Sequence, residues 1–142
     1  VKIVVDTNIV FSALLNSNSP ISSLIFNLPK NFEIYSCLFL KYEIDKHWDK
    51  IIKISKENEN TLQVYKNKLY SRINFIDEIV IPQSIWVESE IIVIKIDIDD
   101  IAFVALSSYL KASLWTGDKK LYLGLKKSNY IDVLNTAELF LY

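Results

Sequence analysis

Six acidic side chains stand where they could share one task. Asp6 closes the apolar run VKIVV, and Glu43 lies in a long stretch of helically spaced apolar residues. Asp97, Asp99 and Asp100 form the group DIDD, and Asp118 sits in LWTGDKKL. Carboxylates brought close together repel, so a cluster persists near neutral pH only when protons or cations neutralise it. An all-oxygen cluster suits a hard cation: Mg2+ takes one or two carboxylates, keeps waters, and leaves positions open to a phosphate, and Mn2+ behaves similarly. Each acid also has an ordinary reading. Asp6 could cap a helix, Glu43 could pair with Lys46 or Lys50 on its own helix, Asp99 could cap the helix after DIDD, and Asp118 could open a turn.

The elements that carry these residues follow from spacing. Val1 to Val5 is short and β-branched, as expected of a strand buried on both faces of a parallel sheet. Thr7 or Asn8 can cap a helix over IVFSALL, and ISSLIFNL starts a second helix after Pro20. FEIYS reads as a second strand. LFLKYEIDKHWDKIIKI then reads as one helix of about four turns, with Glu43 near its start. Asn60 or Thr61 can cap a helix over TLQVYKNKLYSRI, and FIDEIVI reads as a third strand closed by Pro82. Ser84 to Lys95 fits helix or strand by propensity, with helix the preferred reading. IAFVALSSYLK is a helix, SLWT a fourth strand, KKLYLGLKK a helix and IDVL a fifth strand, and Thr136 can cap a last helix over AELFLY. Strands alternating with helices throughout imply a single domain over residues 1–142, a three-layer α/β/α sandwich on a mainly parallel sheet. Ligands in such sheets gather beyond the carboxyl ends of the strands, where strand order reverses. Asp6 and Asp118 both follow strands and belong on that rim.

Four blocks, VVDTNIVFSALL, the EI of the long helix, DIDDIAFVAL and LWTGDKKL, resemble the PIN-domain pattern in order and spacing over nearly the whole chain. The DTN and TGDKKL blocks are similar to those of PIN proteins classed as toxins of toxin–antitoxin pairs. The resemblance implies a metal-dependent endoribonuclease acting on single-stranded RNA with Mg2+ or Mn2+. It assigns Asp6, Glu43, Asp100 and Asp118 to catalysis and the metal, and Asn8 and Thr116 to holding those carboxylates or their waters. It also implies a cognate antitoxin and a homodimer.

Composition narrows the alternatives. A net charge of -1 argues against coating nucleic acid by bulk positive charge. Cys37 is the only cysteine, which excludes an intramolecular disulfide and a thiolate zinc cluster and fits a reducing cytoplasm. No apolar run approaches the roughly 18 residues needed to span a bilayer, so no membrane partner is expected. The lone His47 excludes a multi-histidine centre and reads as structural, outside the site. Lys46, Lys50 and Lys53 share a helical spacing, and Lys119, Lys120, Lys126 and Lys127 surround a later helix; these sets are solvated faces unless one borders the acids. Lys119 is the one assigned to substrate. Trp48, Trp86 and Trp115 read as core or interface. A phosphatase using Asp6 as nucleophile would favour a second acid at position 8, where Asn stands. The competing non-enzymatic reading is a degenerate PIN domain serving as a binding or dimerisation module.

Overall fold

The computed structural model describes residues 1–142. Five strands, β1 (Lys2–Val5), β2 (Glu33–Cys37), β3 (Asn74–Ile76), β4 (Ser113–Trp115) and β5 (Val133–Leu134), form one all-parallel sheet in the order β3-β2-β1-β4-β5. Ile3, Val4 and Val5 of β1 are fully buried, as a central strand covered on both faces requires. The connections are α1 (Thr7–Leu15) and α2 (Pro20–Asn27), then α3 (Leu38–Lys46), α4 (Trp48–Ser55) and α5 (Glu59–Ser71), then α6 (Gln83–Val93) and α7 (Ile101–Leu110), with α8 (Lys119–Ser128) and α9 (Thr136–Leu139) last. Right-handed crossovers put α1–α5 on one face and α6–α8 on the other, giving the α/β/α sandwich. Consistent with this, α1 packs on α2 through α5, while α7 lies across β1, β2 and β4 against α6.

Chain order reverses at β1: it runs outward through β2 and β3, then returns to β4 on the other side. The crevice beyond the carboxyl ends of β1 and β4 is therefore the topological switch point. Register pairs Val5 with Trp115, so Asp6 and Thr116 leave the sheet side by side.

Several local expectations change. The stretch 38–55 is two helices, because the His47 N–H is shared between the Glu43 and Ile44 carbonyls and tightens the last turn of α3. A new helix then starts with Asp49 in its first turn, where a negative charge suits the helix dipole. The strand in FIDEIVI stops at Ile76, because the Asp77 side chain accepts the Ile79 N–H and curls Glu78–Val80 into a 3-10 turn. Caps fall before the expected residues, since a capping oxygen must reach N–H groups two or three positions ahead. Of the candidate caps for α1, Asp6 takes the role and Thr7 and Asn8 do not, Asn58 rather than Asn60 or Thr61 caps α5, and Asn135 rather than Thr136 caps α9 in a capping box with Glu138. Asp97, not Asp99, caps the 3-10 turn Ile98–Asp100 that leads into α7. The preferred helix over 84–95 is α6.

Candidate functional site

At the switch point lies a cavity of about 310 Å³ lined by Asp6, Thr7, Asn8, Phe11, Glu43, His47, Lys50, Asp97, Asp99, Asp100, Phe103 and Asp118. All six acids singled out in the sequence thus reach one space, from residues as far apart as 6 and 118. Three of them, Asp6, Asp97 and Asp118, are held as helix N-caps.

Asp6 is 1% exposed and held by both oxygens. Oδ1 accepts the Ile9 N–H at 3.1 Å, the α1 cap, and Oδ2 accepts the Thr116 hydroxyl at 2.5 Å. Thr116 in turn accepts the Asp118 N–H through Oγ1 at 3.0 Å, and Asp118 Oδ1 caps α8 by accepting the Leu121 N–H. One hydroxyl therefore couples the ends of β1 and β4. Glu43 comes from the opposite wall on α3, where the Thr7 hydroxyl donates to its Oε1 at 2.5 Å. Asn8 lines the cavity from α1. Capping and site geometry are compatible in Asp6 and Asp118, because each uses one oxygen as a cap.

Asp100 differs. It occupies the N-cap position of α7 without capping through its side chain, and its Oδ2 is buried with no hydrogen-bond partner. A buried unsatisfied carboxylate oxygen is costly, and the carboxyl responds. Burial, followed by the nearby charges of Asp6, Asp97, Asp118 and Glu43, raises Asp100 from an ordinary 3.8 to about 7. Burial also raises Asp6 to about 6, with the Thr116 and Ile9 hydrogen bonds opposing the rise and the Asp118 and Glu43 charges adding to it.

Asp97, Asp100 and Asp118 each offer one oxygen such that all three lie within 4.8 Å of one another. An orphaned buried oxygen, an all-oxygen donor set and six carboxylates in one cavity fit a hard divalent cation. The tight trio includes Asp97 and leaves out Asp6, both of whose oxygens accept from Ile9 and Thr116, and Glu43, whose Oε1 accepts from Thr7.

The placements of five residues depart from the sequence reading. Lys119 is exposed on the first turn of α8 and faces a neighbouring depression with Thr116, Gly117 and Tyr122, not the acidic cavity. His47, set aside as structural, lines the cavity, as does Lys50. Thr7 was weighed only as a cap, and Phe11 was not singled out. The i, i+4, i+7 spacing of Glu43, His47 and Lys50 was the available signal for that wall.

Comparison with solved structures returns the same architecture at low identity. A chain of VapBC2 from Rickettsia felis, in a crystal structure bound to a DNA fragment from their promoter, matches with a TM-score of 0.71 at 18% identity, over 95% of this chain and 98% of that one. VapBC-1 from nontypeable Haemophilus influenzae gives a TM-score of 0.67 at 16% identity, over 96% and 99%. PAE2754 from Pyrobaculum aerophilum gives 0.63 at 13% identity, over 99% and 93%. These likenesses establish the fold. No curated protein matches the sequence. A PIN-domain family model matches residues 4–138, which include all the acids of the cavity, and the chain belongs to the PIN-domain family.

Proposed function

We propose that this chain is a metal-dependent endoribonuclease that hydrolyses phosphodiester bonds of single-stranded RNA, folded as one domain over residues 1–142. The observation that carries the reading is the Asp100 oxygen, buried and unpartnered in a cavity of six carboxylates. Membership of the PIN-domain family supports nuclease chemistry at that cavity.

In this reading Asp100, Asp118 and Asp97 hold Mg2+ or Mn2+, with Asp6 and Glu43 completing the acidic pocket. The ion, when bound, polarises a phosphodiester oxygen and lowers the pKa of a coordinated water. The protein supplies alignment. Thr116 fixes the Asp6 carboxylate and Thr7 fixes Glu43, so neither must reorganise during reaction. Thr7 occupies Oε1 of Glu43 and leaves Oε2 free to take a proton from an attacking water. Asn8 contributes an amide at the cavity wall for a water or a phosphate oxygen. Phe103 and Phe11 are the two apolar residues of the lining.

The solved relatives with this fold include VapBC-1 and VapBC2 and a toxin–antitoxin complex from Klebsiella pneumoniae. We extend that setting to this chain as the toxin of a pair, in the cytoplasm, with an antitoxin covering the acidic cavity. A homodimer is supported by the exposed apolar stripe of Val87 and Ile91 on α6 and Ile94 at its C-cap.

The test is cleavage of labelled single-stranded RNAs by purified protein with Mg2+, Mn2+ or EDTA, beside Asp6→Asn and Asp100→Asn. Metal-dependent cutting that drops at least about a hundredfold in both variants is the expected result. Folded protein that neither cuts RNA nor binds a divalent cation by calorimetry would favour the degenerate binding module.

A further inference from the structure

The acidic cavity poses an electrostatic problem for a polyanionic substrate, and one of its walls answers it. Among the twelve lining residues, six are carboxylates and one, Lys50, is a fixed cation. Lys50 and His47 stand on the α3–α4 junction in register with Glu43, at i+7 and i+4, and all three reach the same cavity although the helix is interrupted at His47. Lys50 is exposed and forms no ion pair within 4.0 Å, despite sharing a cavity with six acids. Its charge is therefore unpaired at the cavity lining and available to a ligand. Lys46 and Lys53, on the same pair of helices, do not line the cavity. Against this wall lies α1, which packs on α4 and presents Phe11, half-buried, to the same space. Lys50, His47 and Phe11 put a cation, an imidazole and an aromatic ring on the lining of the cavity that the Asp97–Asp100–Asp118 trio also borders, the parts of a receptor for one nucleotide: phosphate on the cation, base on the ring.

We propose that Lys50, His47 and Phe11 form a nucleotide subsite on the α1–α4 wall, binding the phosphate and unpaired base next to the phosphodiester held over the acids. The assignment rests on the ribonuclease reading for the identity of the substrate and adds to it which wall the strand follows. Lys50 supplies charge to a neighbouring phosphate, His47 donates a hydrogen bond to the same group, and Phe11 stacks a base only when that base is unpaired. The subsite thereby selects single-stranded substrate without base-specific contacts. It also sends the strand away from Lys119, which lies beyond Asp118.

The experiment is binding of a short fluorescein-labelled single-stranded RNA, by anisotropy over a salt series, in the cleavage-impaired Asp6→Asn background with Mg2+. Lys50→Ala is expected to weaken binding several-fold and to flatten the slope of log K against log salt by about 0.7, the loss of one phosphate contact on a single strand. Lys50→Arg is expected to restore the slope. Phe11→Leu is expected to weaken binding about fivefold or more at unchanged slope, because stacking releases no counterion. Lys119→Ala is the comparison and leaves the slope as it was. Thermal melts confirm that each variant is folded. An unchanged affinity and slope in folded Lys50→Ala, or an equal loss in Lys119→Ala, overturns the subsite, as does absence of RNA binding altogether. The two readings separate: metal-dependent cutting by the parent chain with an unaffected Lys50→Ala sinks only the subsite, whereas Lys50-dependent binding without cutting sinks only the nuclease.

Discussion

The two ends of the acidic cavity hold their carboxylates in opposite ways. At the β1–β4 end, Asp6 is enclosed and both oxygens accept protein hydrogen bonds, from Ile9 and Thr116. At the entrance to α7, Asp100 is half-buried, caps nothing, and leaves Oδ2 without a partner. Both are raised above the ordinary carboxyl value, chiefly by burial, but the fold supplies donors to one and leaves the other to be completed from outside. A carboxylate satisfied by the protein is part of the scaffold, whereas an unsatisfied one draws a proton or a cation.

The contrast breaks most readily with metal. Mg2+ or Mn2+ at about a hundredfold over Kd is expected to stabilise the chain by about 2.7 kcal/mol, a shift of several degrees in a thermal melt. In Asp100→Asn that shift should largely vanish; an undiminished shift would show that the ion is held elsewhere. Next in size is truncation. Asp6→Ala strips the α1 cap and strands the Thr116 hydroxyl, at a cost of about 2 kcal/mol or more in urea denaturation of metal-free protein at pH 5. Asp100→Ala removes no protein hydrogen bond and should stay within about 1 kcal/mol of the parent chain. Equal losses would erase the distinction between the two ends.

The pH dependence sharpens the comparison further. Asp100 is raised to about 7 and Asp6 to about 6, from 3.8, so over that interval the folded chain retains protons that the unfolded chain has released. Metal-free stability should therefore be highest below about pH 4, fall as pH rises through 4 to 7, and level off above. The slope is at most about 1.4 kcal/mol per pH unit for each group, and less for Asp100 because water reaches part of it. Urea midpoints measured from pH 4 to 8 check the sign, and saturating Mg2+ should flatten the fall. The smallest expected effect is at Thr7→Val, which leaves Glu43 present but unanchored: kcat for RNA cleavage drops several-fold with KM little changed and stability within about 1 kcal/mol. A KM effect instead would place Thr7 in substrate binding.

Much of this was legible in the chain itself, for a physical reason. Apolar runs separated by helical spacings imply crossovers, and crossovers imply a parallel sheet with a crevice at its carboxyl edge, so Asp6 and Asp118 could be placed on that rim by periodicity alone. Local chemistry was less secure where a cap competed with its neighbours. Asp6 takes the capping role given to Thr7 or Asn8, which frees the Thr7 hydroxyl to hold Glu43, a contact across 36 positions that no local pattern encodes. The break at His47 and the early end of β3 at Ile76 likewise depend on which carbonyls and N–H groups find partners. Residue types and their periodicity give the acids and the element that carries each. That Thr116 satisfies Asp6, that Asp100 is left short of a partner, and that Lys50 rather than Lys119 lines the cavity follow from folding, because hydrogen-bond satisfaction and charge proximity arise between segments that meet only then.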